Sequence, residues 1–390
     1  MNQYDLIVVG SGPSGSRTAR LCAEQGMNVL LLERDTHPRG KCCAGGVLER
    51  ALIQLEDIPD SLIERELDSF VIVRDDEMAT CRFVRRVGIS VRRDLLDAHL
   101  AREAERFGAN LYEGEAVTSA IESNDGVEVR TVKGTYRADY LVLAEGSRGR
   151  IASNILGPRS LGTVVLGSAM RCDVGSRTDT TLRIHLFPQS KVKGRCNFPL
   201  SGASFPLEGA FSFSVVGDGI GKEGMQCAMD SMMTCIDRDF TIVSKGETCF
   251  HPIPIAQRPR LCSSRSVVVG DAAGLVSPFS GEGLTYALRS AEMAYRAIRR
   301  DRERRGSLSE YQKDCWRNVG KHMRAASMLG PGLIWLTRHL DIESLVSVFS
   351  RDSDLVDTVA KAARDEGDWR NVLLKTIPRF PRLFFSSLRS

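Results

Sequence analysis

Residues 4 to 34, YDLIVVGSGPSGSRTARLCAEQGMNVLLLER, read as a strand, a glycine turn, a helix and a second strand closed by an acid. The apolar run Leu6 to Val9 enters the turn at Gly10, Gly12 and Gly15, with Pro13 and Ser14 inside it. A second apolar run, Val29 to Leu32, ends on Glu33 and Arg34. Each glycine has a mechanical reason: Gly10 allows the tight exit from the strand, Gly12 lets the backbone approach a pyrophosphate, and Gly15 lets the helix pack closely on the strand. The N–H groups and the positive end of the helix dipole then face the phosphates. Glu33 lies 18 residues past Gly15, where a carboxylate accepts both hydroxyls of an adenosine ribose and repels a 2′-phosphate. The site is expected to hold FAD or NAD, and not NADP.

A second constellation separates those two. Residues 266 to 288, SVVVGDAAGLVSPFSGEGLTYAL, read as a buried strand, a turn at Gly270-Asp271 and a helix opening near Gly281-Glu282-Gly283. This segment resembles the FAD-dependent family of the p-hydroxybenzoate hydroxylase type, in which a GD motif binds the ribityl chain. The resemblance implies that Asp271 bonds a ribityl hydroxyl and that the backbone after Gly283 points its N–H groups at the pyrimidine end of the flavin. A helix N-terminus stabilises the negative charge of reduced flavin there. An amphipathic helix is expected from Arg93 to about Phe107, with Asp94 as N-cap and Gly108 as stop. The family places an arginine beside FAD at this point, which makes Arg93 the candidate; the alternative is a solvated arginine at a helix start. DYLVLAEGSRGR, residues 139 to 150, is similar to the family's strand ending in a DG turn near the cofactor, with Glu145 in place of the Asp and the Gly146 turn intact.

A third segment narrows the family. Lys41-Cys42-Cys43-Ala44-Gly45-Gly46 resembles the K-x-C-G-G-G segment of geranylgeranyl reductases, flavoproteins that saturate isolated double bonds of polyprenyl chains. Lys41, Cys43, Gly45 and Gly46 match in register, and Ala44 replaces the first glycine. The resemblance implies that Gly45-Gly46 brings backbone close to the isoalloxazine, with Cys43 on the substrate side. A thiol of pKa ~8.5 is too weak to protonate an isolated alkene outright, so Cys43 is expected to position substrate or deliver a proton in a coupled step. The bland reading of Cys43 is a buried small hydrophobe. The family's channel motif, Y-x-W-x-F-P, corresponds to Ser201-Gly202-Ala203-Ser204-Phe205-Pro206, in which Phe205 and Pro206 survive and the two large rings are Ser201 and Ala203. Loss of those rings is expected to widen or reshape the pocket.

These readings give one set of candidates. Cofactor binding falls to Gly10, Gly12, Pro13, Ser14, Gly15, Glu33, Arg34, Ala44, Gly45, Gly46, Arg93, Gly146, Gly270, Asp271, Gly281, Gly283 and Leu284. Cys43 is the catalytic candidate, Phe205 and Pro206 line the substrate, and no metal is expected. His185 and His251 are read as structural.

The chain has 390 residues, 42% hydrophobic and 26% charged, which suits a globular protein of two or three domains. The expected fold class is α/β (mixed α+β): a Rossmann-like FAD-binding domain, an inserted antiparallel-sheet substrate domain and a helical C-terminal region. The FAD-binding domain is assigned 1–60, 88–160 and 262–300, the substrate domain 61–87 and 161–261, and the helical region 301–390, with breaks at Gly330-Pro331-Gly332, Pro378 and Pro381. Strand-like alternation marks Phe70 to Arg74 and Ala210 to Val216.

No signal peptide or membrane span is expected, and eleven cysteines without CxxC pairs or a histidine cluster fit a reducing cytosol. A net charge of +4, with no aromatic–basic stacking pattern, argues against nucleic acid. RAIRRDRERR, residues 296 to 305, reads as a basic helix end. The last twenty residues interleave Lys375, Arg379, Arg382 and Arg389 with Leu374, Ile377, Phe380, Leu383, Phe384 and Phe385. That mixture suits either an anionic membrane surface or packing against the body of the protein. The expected location is cytoplasmic, with a peripheral membrane contact as the alternative.

Gly217-Asp218-Gly219-Ile220-Gly221-Lys222 has Lys222 where a second dinucleotide fingerprint needs its third glycine, so it reads as a strand-to-helix turn. Electrons are then expected from a protein such as ferredoxin or from transiently bound NAD(P)H. The favoured function is reduction of a polyprenyl lipid; an aromatic monooxygenase of the same fold and a non-catalytic isoprenoid carrier are the alternatives.

Overall fold

The computed structural model describes residues 3–56, 58–74, 77–82, 86–159, 164–175, 179–187, 200–238, 240–278 and 280–328, together with 354, 358, 361 and 369–376. The first sheet runs in the order Asn110–Tyr112, Val29–Leu32, Gln3–Val9, Thr135–Leu143, Gly126–Thr131, Val117–Ser123. Gln3–Val9 is parallel to both its neighbours, and the short strand Ser266–Val268 joins parallel to the end of Thr135–Leu143. Leu30, Leu31 and Leu32 are fully buried in this parallel core, and each contributes roughly 1.5–3 kcal/mol by leaving water. The helices Pro13–Glu24 and Leu284–Arg302 pack on it, the second ending in Arg299, Arg300 and Arg302, where cations complement the helix dipole.

An eight-stranded sheet lies apart in the order Ile242–Lys245, Val164–Val174, Ala210–Gly217, Ser201–Leu207, Thr181–Leu186, Ser69–Arg74, Glu77–Arg82, and Cys249–Pro254 pairs with Val164–Val174 as well. Its two faces differ in chemistry, because residues paired across strands project to the same side. One side carries Met170, Cys172, Phe211, Phe213 and Val215 and is sealed by Met225, Met229, Met232 and Met233 of the helix Lys222–Asp237. The register puts Gly167, Ala169, Ile184, Ser201, Ala203, Phe205, Ser212, Ser214 and Val216 on the other side, along with Cys249 and His251.

A three-stranded sheet joins the two bodies. Gly88–Val91 lies between Gly46–Leu48 and Ile63–Leu67, and the Ser90 hydroxyl donates to the Pro206 carbonyl of the large sheet. The fold is thus mixed α/β. Gly217 to Gly221 leads from a strand into the helix beginning at Lys222.

One expectation changes. The helix after Val91 runs Arg93–Arg106 with Arg92 at its N-cap, so Asp94 is not the cap. Arg92 instead holds Asp94 by an ion pair at 2.7 Å, and the carboxylate acts from the first turn, where it still complements the dipole. Gly108, at φ +105°, follows the helix end. Beyond Ser309–Cys315 the chain passes through a π-turn at Trp316–Gly320 into helix to Met328. The breaks at Gly330-Pro331-Gly332, Pro378 and Pro381 and the last fourteen residues lie outside the described residues. Among the described residues no helix is long and apolar enough to cross a membrane.

Candidate functional site

The glycine turn is shaped by backbone contact. A Cβ on Gly10, whose φ is +98°, would stand 2.5 Å from the Ala144 carbonyl oxygen, and one on Gly15 would collide with the Gly10 carbonyl. Gly12 caps the helix with no side-chain hydrogen bond, Pro13 takes the first helical position, and no acid stands in the first turn. The helix end is left open to an anion.

Glu33 is buried at the end of its strand. Its carboxylate accepts the Ser11 N–H at 3.0 Å, the Ser11 hydroxyl at 2.8 Å and the Asp35 N–H at 3.1 Å. Burial pushes this carboxyl up, but Arg39 and the Ser11 and Asp35 donors outweigh it and hold the group below the usual carboxylate range. Arg34, by contrast, is exposed and pairs with its neighbour Asp35 at 3.1 Å.

Arg39 is a site residue that sequence reading missed. Its guanidinium lies beside Gly12, 3.7 Å from where a Cβ would be, and its Nε makes no hydrogen bond among the described residues. It also begins a chain of charges: Arg39 stands 3.4 Å from Glu33 and 3.4 Å from the fully buried Asp97, Asp97 pairs with Arg93 at 3.0 Å, and Arg93 Nη1 donates to the Cys43 sulfur at 3.3 Å. Asp97 lies one helical turn after Arg93, a spacing visible in the sequence; Arg39, in an irregular loop, had no such signal.

Cys43 receives a second donor, the Gly45 N–H at 3.5 Å. With two N–H groups on its sulfur, the S–H proton is free to point elsewhere. Ala44 is buried. Gly45, at φ +82°, lies against the Val91 carbonyl and Gly46 against the Phe205 ring, so that neither position has room for a Cβ. Phe205 and the Lys41–Gly46 segment, 159 residues apart at Gly46, are therefore in contact.

Gly270, at φ +58°, packs against the Ser14 hydroxyl, and Gly283 faces the Asp271 carboxylate, 3.0 Å from where its Cβ would be. The Asp271 carboxylate accepts no hydrogen bond among the described residues. Leu284 is the first residue of its helix, and Gly281 lies beneath Val216 of the large sheet. The carboxylate of Glu282 accepts the Thr285 N–H at 2.7 Å and pairs with buried Arg50, which also stacks 5.1 Å from the Tyr286 ring. Glu145 accepts the Ile151 and Ala152 N–H groups at 2.8 and 2.7 Å, capping the helix Arg150–Leu156. The Glu-for-Asp exchange beside Gly146 thus serves a helix end.

His251 hydrogen-bonds the Ser147 hydroxyl at 3.0 Å, and burial, reinforced by Lys41, lowers its pKa to about 4. His185, against Ser204 at 3.3 Å, is lowered to about 4 by burial and Arg183. Both are neutral at pH 7.

The turn, the buried acid, the open helix end and Arg39 suit the ribose and pyrophosphate of FAD, and Asp271 beside Gly283 suits a ribityl hydroxyl. Fold and motifs define an FAD-dependent oxidoreductase. Residues 4–180 match the pyridine nucleotide-disulphide oxidoreductase family, and the chain has homologues among the geranylgeranyl reductases. It is 26% identical to the geranylgeranyl diphosphate reductase of Synechocystis sp., over 75% of this chain and 74% of that protein. It is 27% identical to conditioned medium factor receptor 1 of Dictyostelium discoideum, over 83% and 69%. A geranylgeranyl bacteriochlorophyll reductase-like structure from Thermoplasma acidophilum superposes with a TM-score of 0.77 at 19% identity, covering 99% of this chain and 98% of that one. The myxobacterial chondrochloren halogenase CndH, an FAD-dependent halogenase, shares the fold with a TM-score of 0.63 at 21% identity, over 82% and 79%.

Proposed function

We propose that this oxidoreductase saturates isolated carbon–carbon double bonds of polyprenyl chains. The observation that carries the proposal is the contact between two segments distant in sequence. The Cys43 thiol, gripped by Arg93 and the Gly45 N–H, belongs to a backbone segment that lies directly beneath Phe205 and the small-residue face of the large sheet.

Bound FAD supplies the two reducing equivalents. The protein's own task follows from the substrate. An isolated alkene has no carbonyl to polarise, so oxyanion-type donors are useless and the site must exclude water and hold the bond in place. Ser201, Ala203, Ser212 and Ser214 present only small side chains on that face of the sheet, and Phe205 and Ile184 offer an apolar chain contact there. Arg93 and Gly45 fix the sulfur while leaving its proton directed away from both donors. Electrons would come from ferredoxin or from NAD(P)H in a transient encounter.

The test is anaerobic. Reduced protein mixed with a geranylgeranyl lipid should reoxidise without oxygen and yield lipid two hydrogens heavier per bond. Reoxidation that requires oxygen and inserts it into an aromatic compound would establish a monooxygenase instead. Binding of lipid with no reoxidation would establish a carrier.

A further inference from the structure

Cys42, the neighbour of the thiol assigned to chemistry, has a partner of its own. Its thiol faces that of Cys249, the first residue of the strand Cys249–Pro254. Both thiols converge on one backbone position: Cys249 pairs with Ala169 in the sheet, its thiol donates to the Ala169 carbonyl oxygen at 3.2 Å, and Cys42 shares the Ala169 backbone as a contact. The alignment continues along the strand. His251, on the same face as Cys249, has Lys41 as a charged neighbour. Lys41-Cys42 therefore lies along His251 and Cys249. Cys22, Cys172, Cys262 and Cys315 are buried, whereas Cys249 is exposed and Cys42 half-buried, so solvent reaches this pair.

We propose that Cys42 and Cys249 form a reversible disulfide that clips the Lys41–Gly46 segment to the large sheet beside Cys43, with hydrogen peroxide as the oxidant. The Cys249 thiolate attacks one peroxide oxygen. The O–O bond breaks, leaving a sulfenic acid on Cys249 and a hydroxide that takes up a proton as water. Cys42 then gives up its proton and attacks the sulfenic sulfur, forming the S–S bond and expelling a second water. Two thiols lose two electrons and two protons, and one peroxide becomes two waters. Cys249 is the more exposed of the two thiols, and the neighbouring Cys42 thiol lowers its pKa against the opposing effect of burial, which assigns the attacking role to Cys249. Thiolate character and exposure coincide at one sulfur, as a peroxide-sensing pair requires. The inference does not rest on the prenyl reading, since it requires only the two thiols and peroxide.

The full FAD-bound chain is reduced, desalted without air, exposed to hydrogen peroxide, alkylated and digested without reductant. Mass spectrometry should find Cys42 and Cys249 linked, with the mass lowered by two hydrogens and both thiols lost from the alkylatable pool. Cys43 should remain alkylatable, and dithiothreitol should restore the free pair. Cys249→Ala should leave Cys42 alkylatable after the same treatment, at unchanged FAD content. A Cys42–Cys43 link, a Cys249 sulfinic acid with Cys42 free, or no loss of thiols in the wild-type protein would each overturn the proposal.

Discussion

Cys43 differs from Cys42 in what reaches its sulfur: two N–H donors in one residue, another thiol in the other. Serine is nearly the shape of cysteine but lacks its soft, polarisable sulfur. Under reducing conditions Cys43→Ser should retain FAD yet reoxidise about a hundredfold more slowly with a geranylgeranyl lipid, the low end of what a placed proton donor contributes. Cys42→Ser should react near the wild-type rate, and single-turnover reoxidation compares the two directly. If the order is reversed, the assignment of Cys43 is wrong. His185 carries a pH prediction. Its folded pKa of about 4 lies below the ordinary 6.5, so below pH 6.5 the unfolded chain binds a proton that the folded chain refuses. Stability is therefore lost as pH falls from 6.5 towards 4, by up to about 3 kcal/mol for this group. His185→Gln, measured by urea unfolding across that window, should show a flatter decline than wild type. Single residues were legible in the sequence where a motif fixed them. Arg39 and the Arg50–Glu282 pair were not, because each depends on loops meeting across the fold.

At the scale of elements, the strand Ser201–Leu207 sets the shape of the proposed lipid channel. Ser201, Ala203 and Phe205 alternate on the face that meets Gly46, while Gly202 and Ser204 turn towards Met232 and His185. Ala203→Trp would place a ring beside Ser214 and Ile184, its cross-strand neighbours. That variant should keep FAD and its rate with a short prenyl chain, but lose most of its activity with a geranylgeranyl chain. Equal loss on both lengths would mean that this face does not line the channel. The glycine turn and both cofactor strands were readable because hydrophobic period and turn chemistry agreed there. The cap of the helix Arg93–Arg106 was misread by two positions, since an acid in the first turn and an acid at the cap look alike in sequence when Arg92 competes for the carboxylate.

At the scale of the molecule, the three sheets meet around the Lys41–Gly46 segment, which touches Arg93 of the first body and Phe205 and Cys249 of the second. The alternation of strands announced a second sheet, but nothing local announced which of its faces would meet the cofactor segment. That depends on register, and a slip of one residue would exchange Ser201, Ala203 and Phe205 for Gly202, Ser204 and Pro206. For the C-terminal residues we propose contact with anionic membrane, on the strength of their mixed basic and aromatic character. Deletion of residues 371–390 should weaken binding to phosphatidylserine vesicles, with high salt mimicking part of the loss, while FAD content is unchanged. Equal vesicle binding by the full and shortened chains would remove that reading.

The three-residue strand Ser266–Val268 has a consequence for synthesis. It adds to the edge of Thr135–Leu143 only after more than a hundred intervening residues have been made. A chain emerging from the ribosome can therefore assemble its amino-terminal turn early, yet the sheet stays incomplete, and Asp271 absent, until the whole covering sheet has left the exit tunnel. Such distant pairing slows folding and leaves an apolar edge exposed meanwhile. Cofactor capture is thus a late event in the life of the nascent chain, and truncated products ending before residue 266 have no means of completing it.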